Sequence, residues 1–315
     1  MVVRFSSAAT RSRRARSVSR FPPQTPPGPP QGGGSNVSLF QPKSGKTLSN
    51  VFADLQEEFG ETTAAKGTRD LVRDATFFGL AGVSKGFPEV VTTYLQPGIY
   101  YLVDLANPPT GGPPTVATLT VGSDRTSFEQ DSDLHSQVSV QATSADRFIA
   151  PSSWPSRGTY TFTNTSDSIH FMTMMPVKPG TTDAQVQAAF SAPPSAQNGP
   201  PPFALMGPSG GNDVVSPGRS LQVSYNLPPG TYVLLCFVAD DKTGMPHAVM
   251  GMHKVIVLTD SGTATHVASM PASGAPHTGE PGAVNPLNGL VGLGLIGASG
   301  ALAIRSRRKA VINPA

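Results

Sequence analysis

Two stretches of this chain align residue for residue: Gly98-Ile-Tyr-Tyr-Leu-Val-Asp104 with Gly230-Thr-Tyr-Val-Leu-Leu-Cys236, each led in by a Leu-x-Pro or Leu-Pro-Pro turn. Pro114 follows Asp104 by ten residues, as Pro246 follows Cys236. Further upstream, Phe40-Gln-Pro-Lys-Ser-Gly45 matches Met175-Pro-Val-Lys-Pro-Gly180, and each leads into a short helical pattern, Leu48 to Phe59 and Asp183 to Phe190. An internal repeat constrains a fold more than composition does, because one structural unit must form twice. The repeated runs are short, apolar and turn-bounded. With 33 glycines, 32 prolines and only 14% charged residues, the chain favours short strands and many turns over long charged helices. The expectation is an all-β chain of tandem β-sandwiches.

The second copy has two further candidate strands, Val138–Gln141 and Thr159–Asn164, the latter alternating with period two through Tyr160-Thr-Phe162-Thr. In the first copy only a tail stands where those strands belong, so that copy reads as degenerate or truncated. The expected boundaries are a basic and Pro/Gly-rich disordered tail over 1–36, a degenerate domain over 37–124, a complete one over 125–259, and a linker over 260–286.

Residues 287–304, LNGLVGLGLIGASGALAI, are uncharged and precede a basic tail, 305–315, that contains Arg305, Arg307, Arg308 and Lys309. Eighteen mostly apolar residues at the helical rise just cross a hydrocarbon core, and the basic cluster marks the cytoplasmic side. A C-terminal transmembrane helix is therefore expected, with the body extracytoplasmic at a cell membrane or wall. The preceding Ala275-Pro276-His277-Thr278-Gly279 resembles a sortase sorting signal with alanine in place of leucine, which makes a sortase a candidate partner. Six arginines and no acids lie in residues 1–20; without the two tails, 13 basic residues face all 20 acidic ones. The body is acidic, so a nucleic-acid partner is not expected.

The chemistry concentrates in Leu227 to Leu258, where two alternating apolar strands, Thr231–Val238 and His253–Leu258, flank a loop carrying Cys236, His247 and Met252. One thiolate, two imidazoles and a weak thioether suit copper, because sulfur favours Cu(I) while imidazole serves both oxidation states. Cys236 is the only cysteine, so no disulfide framework competes for it.

The pattern Gly230-Thr231-Tyr232-x-x-x-Cys236 followed by Pro246-His247-x-x-x-Gly251-Met252 resembles the copper-binding end of plastocyanin-type cupredoxins. The resemblance implies a Greek-key β-sandwich holding one type 1-like copper ion, with Cys236, His247 and Met252 as ligands. It further implies an upstream histidine after an Asn-containing turn, a role that His170 fills in Asn164-Thr-Ser-Asp-Ser-Ile-His170. The ten residues between Cys236 and His247 make a longer loop than in small electron carriers, and Phe171 stands where Asn or Ser often supports the site. A longer loop is expected to be looser. The first copy carries Ser35, Asp104 and Thr115 at the positions of His170, Cys236 and His247.

These residues imply a copper-binding module that exchanges electrons with a redox partner through a solvent-near His247, or that handles copper. The neighbouring methionines (Met172, Met174, Met175, Met245, Met250) extend the second role, since thioether clusters bind Cu(I). His253 is expected to face solvent. An enzyme is not expected, because copper oxidases and nitrite reductases need more histidines; the chain has six and no His-x-His pair. The alternative is a metal-free structural or adhesion module displayed at the cell surface.

Overall fold

A computed structural model describes residues 2–6, 35–84, 86–104, 114–122, 134, 136–192 and 201–260. The chain folds mainly as β-strands. One sheet of the first half holds β2 (Ser35–Pro42), β3 (Ala75–Phe77), β6 (Gly98–Asp104) and β7 (Val116–Val121), in the order β3-β2-β6-β7, with β4 (Gly82–Val83) also on β2. A sheet of the second half holds β10 (Ser153–Pro155), β12 (His170–Val177), β13 (Gly210–Val215), β15 (Gly230–Leu235) and β16 (His253–Thr259), in the order β10-β16-β15-β12-β13. A six-stranded sheet joins the halves: β1 (Val2–Ser6), β5 (Val90–Tyr94), β14 (Ser220–Asn226), β11 (Arg157–Asn164), β8 (Val138–Thr143) and β9 (Arg147–Ile149), in the order β1-β5-β14-β11-β8-β9.

The repeat is a repeat of structure. Phe40 pairs with Tyr101 across β2 and β6, and Met175 pairs with Val233 across β12 and β15. Gly98 pairs with Val121, as Gly230 pairs with Leu258. Helix α1 (Leu48–Glu58) and helix α3 (Asp183–Phe190) both open on capping boxes, Thr47 with Asn50 and Thr182 with Gln185, which satisfy otherwise orphaned amides. The turns before them need Gly45 and Gly180 at φ +77° and +80°; no atom of the described residues crowds either position, so backbone conformation selects glycine.

The halves do not close as separate sandwiches with a boundary near residue 124. Strand β5 of the first half pairs with β14 of the second, and Leu80 and Phe77 accept backbone hydrogen bonds from Asp213 and Ser216. One continuous core draws on all three sheets, from Leu39, Phe40 and Tyr100 through Val91, Tyr160, Phe162 and Val223 to Met174, Leu234 and Ile256. A first copy short of strands leaves apolar surface and a sheet edge open, and pairing with the second copy covers both. The tail expected to be disordered over 1–36 supplies β1, whose antiparallel pairing with β5 puts it where the first copy lacked a strand. Backbone pairing stabilises these five residues without the long apolar run that sequence reading looks for.

Helix α2 (Ala64–Asp74) was not expected from the sequence. It packs on α1 at Gly67, where a Cβ would fall 2.0 Å from the Glu58 amide nitrogen, so only glycine permits the crossing. No helix among the described residues is long and apolar enough to cross a membrane. The segments read as linker beyond Asp260, sorting signal, transmembrane helix and basic tail lie outside the described residues.

Candidate metal centre

Alternation along the strands decides which side chains meet. On β15, Tyr232 and Leu234 face the main core, whereas Val233 and Leu235 face a smaller cluster with Met175, Val177, Val186 and Phe203 under α3. The strand ends at Leu235, and Cys236 continues the core-facing series. On β12, Met172 and Met174 face that same core, and His170 stands two residues before them. A register shift between His170 and Met172 marks a bulge at this point, and bulges re-aim side chains.

The outcome is a buried cluster of His170, Cys236 and His247, whose donor atoms all lie within 4.8 Å of one another. The Cys236 sulfur is 3.7 Å from Nδ1 of His170 and 3.7 Å from Nδ1 of His247. Exposure is 0% for Cys236 and His170 and 1% for His247. Bonds of about 2.3 Å to sulfur and about 2.0 Å to nitrogen, meeting at roughly 120°, span roughly 3.7 Å. The two sulfur–nitrogen spacings therefore fit a His2Cys set around one ion.

Local structure holds each donor. Asn164 pins the turn before His170, its Nδ2 donating to the carbonyls of Ser168 and Val215 and its Oδ1 accepting from Ser166. The Cys236 carbonyl accepts from Ala248 N–H, and the His247 carbonyl accepts from Met252 N–H. Met252 is fully buried, and its own carbonyl accepts from Cys236 N–H, so the thioether candidate is bound through its backbone to two of the other three.

The loop from Cys236 to His247 is braced rather than loose. Its own Ala239 and Pro246 form a bridge, and His247 N–H donates to the Val238 carbonyl. Asp240 Oδ1 accepts from Lys242 N–H, Thr243 N–H and the Thr243 hydroxyl. The helical pair of the first half then clamps the loop from outside. Ala239 N–H donates to Glu58, the Thr68 hydroxyl donates to the Ala239 carbonyl, and Arg69 donates to the Asp241 carbonyl. Sequence reading missed this clamp because its residues lie more than 170 positions from the loop they hold.

Burial sets the protonation states. It depresses His170 to about 3, aided by its neighbour His247. Burial also lowers His247, against the carboxylates of Asp146, Asp240 and Asp241, which raise it. Burial thus favours the neutral form of both rings, the form that metal binding requires. Burial pushes the Cys236 thiol up to about 12, although backbone N–H groups of Phe171 and Val238 donate to its sulfur and pull the other way. A buried sulfur with two donors aimed at it is built to accept charge, and a cation supplies the compensation that burial withholds.

Three expectations need correction. His247 is not solvent-near: at 1% exposure its ring lies beneath the β8–β9 turn, with Asp146 Oδ1 3.6 Å from its Nε2. His253 does not face open solvent, since its side chain is 6% exposed and its nitrogens lie 3.1 Å from Asp183 Oδ1 and 3.0 Å from Gln187 Oε1 on α3. Nor do the methionines form one thioether cluster: Met172 and Met174 face the main core, Met175 the smaller one, and Met245 is 46% exposed.

Over part of its length the chain is similar to several solved structures. Auracyanin B shares 22% identity over 40% of this chain and 92% of its own, at a TM-score of 0.24. Reduced rusticyanin shares 19% over 39% of this chain and 75% of its own, at 0.22. A Cu-containing nitrite reductase from Thermus scotoductus shares 13% over 64% of this chain and 49% of its own, at 0.22. No protein-family model and no curated protein matches the chain. At such TM-scores these likenesses carry no functional weight, and the reading of the site rests on its own geometry.

Proposed function

We propose that this chain is a cupredoxin-like protein binding one copper ion between His170, Cys236 and His247, with Met252 supplying a thioether, for electron transfer or copper handling. The carrying observation is the pair of 3.7 Å separations from one buried sulfur to two buried imidazole nitrogens. These residues would hold copper, which when bound would supply one-electron exchange between Cu(I) and Cu(II).

The protein's part is to fix those ligands and keep water out. The Asn164 turn orients His170, the clamped loop fixes His247, and the N–H groups of Phe171 and Val238 stabilise a thiolate at Cys236. We further propose that the chain is not an enzyme, that its partner is a redox protein, and that residues 287–304 hold its body on the outer side of a membrane.

Titration of the full chain with Cu(II) tests the copper reading. An intense visible thiolate-to-copper band, absent from Cys236→Ser, supports it. A colourless protein that retains no copper leaves the displayed metal-free scaffold instead.

A further inference from the structure

The turn between β8 and β9 places a carboxylate over the back of both imidazoles. Asp146 Oδ1 lies 3.6 Å from Nε2 of His247 and 4.0 Å from Nε2 of His170. These are the ring nitrogens that face away from Cys236, since both Nδ1 atoms face the sulfur. His170 Nε2 is buried and has no hydrogen-bond partner among the described residues. A ring that gives its Nδ1 lone pair to a metal carries its proton on Nε2, and that N–H needs an acceptor.

The backbone at Asp146 points the same way. Thr143 pairs with Arg147 across the hairpin, Asp146 N–H donates to the Thr143 carbonyl, and Asp146 has φ +52°. In a three-residue hairpin loop the left-handed position is one that glycine fills without strain. Among the described residues Asp146 is the one non-glycine with positive φ. Strain kept at one place, beside two buried imidazoles, leads from an observed outlier to a role. Its neighbour Arg147 acts on the carboxylate through charge, while the guanidinium donates its hydrogen bonds to the carbonyls of Ala145 and Asp146 and packs on Gly251. Asp240 stands near His247 as well, one of its carboxylate oxygens lying within 4.8 Å of a His247 ring nitrogen and of Asp146, but its Oδ1 serves three donors of its own loop.

We infer that Asp146 is a positioning residue, the shared carboxylate that faces the Nε2 atoms of both His170 and His247 and would draw in their N–H groups once the rings hold a metal, and that its negative charge favours Cu(II) over Cu(I). This rests on the copper reading and adds a residue that the four-ligand description lacks. An anion close to the ligands stabilises the more highly charged ion, so removing it raises the reduction potential. The same carboxylate covers the His247 ring, so the turn also stands between that ring and water.

The test compares wild type, Asp146→Asn and Asp146→Gly as copper-loaded full chains, by optical spectrum, Cu(II) and Cu(I) affinity, and potentiometry. Asparagine keeps shape and tolerance of positive φ but loses the charge; glycine also relieves the backbone. Both variants are expected to keep the visible band, to bind Cu(II) about tenfold more weakly, and to bind Cu(I) nearly unchanged. A tenfold differential corresponds to about 59 mV in a one-electron couple, upward. The metal-free Asp146→Gly protein is expected to melt no lower than wild type, as a merely structural aspartate would not allow. Wild-type potential and affinity in both variants, with the band intact, would overturn the inference and leave the copper reading standing. Absence of the band from wild type itself would remove both.

Discussion

In the first half, β2 meets β6 with Phe40 opposite Tyr101, and Tyr100 donates its hydroxyl to the Gln96 carbonyl. In the second half, β12 meets β15 with Met175 opposite Val233, and Tyr232 donates its hydroxyl to the Pro228 carbonyl. Register, tyrosine anchor, positive-φ glycine and helix cap recur. Ser35 opens β2 as His170 opens β12, yet Asp104 and the exposed Thr115 stand where Cys236 and His247 stand in the second half. The scaffold can therefore be built without a thiol or a histidine. Two neutral rings and a thiol buried in one copy are not a requirement of the fold, and burial of polar groups costs stability unless something compensates it. The first half instead supports the second, its helical pair clamping the ligand loop and its strand β5 extending the shared sheet.

Paired substitutions can break this comparison. Cys236→Ser is expected to lower Cu(II) affinity by at least about 100-fold, whereas Asp104→Ser at the matching position is expected to leave it unchanged; equilibrium dialysis against copper measures both. Loss in the second variant would mean that the halves share the metal.

Phe40 is fully buried in the continuous core, and Phe40→Ala is expected to cost about 3–5 kcal/mol. Because that core spans both halves, chemical denaturation should remain a single transition reported alike by probes in either half. Two separate transitions would restore the tandem arrangement expected from the sequence.

A smaller effect concerns the clamp. Burial raises the Glu58 carboxyl to about 7, while Ala239 N–H pulls it down. A carboxyl whose folded pKa exceeds its unfolded value favours the fold most below the unfolded pKa, near 4.5. That contribution is lost as pH rises through about 7. Wild type is therefore expected to lose on the order of 1 kcal/mol across this window relative to Glu58→Gln, measured as the difference between two stability–pH curves. Parallel curves would contradict the clamp electrostatics.

The smallest effects sharpen the symmetry. Thr47→Ala and Thr182→Ala each remove one capping box and are expected to cost about 1 kcal/mol apiece. Unequal melting shifts would show that the two helices are not equivalent in energy.

The repeat and the buried cluster of His170, Cys236 and His247 were legible because each lies within a short contiguous pattern. Cys236, His247 and Met252 share one loop, and His170 follows a turn that Asn164 announces. Period-two alternation then carried the reading from strand to face. What stayed hidden depends on contacts between distant segments. The clamp joins Glu58, Thr68 and Arg69 to a loop far along the chain, and β5 finds β14 only when the halves come together. Asp146 was hidden for another reason. Ser144-Ala145-Asp146-Arg147 reads as an ordinary polar turn, and only the hairpin register shows that an aspartate occupies a position suited to glycine. His253 was misjudged because alternation indicates a side but not whether a helix covers that side.

X-ray absorption at the copper edge of the copper-loaded full chain tests the central claim most directly. The expected result is one short sulfur bond and two imidazole nitrogens around a single copper, with the sulfur shell lost in Cys236→Ser. A copper shell of oxygen and nitrogen alone in the wild-type chain would contradict it.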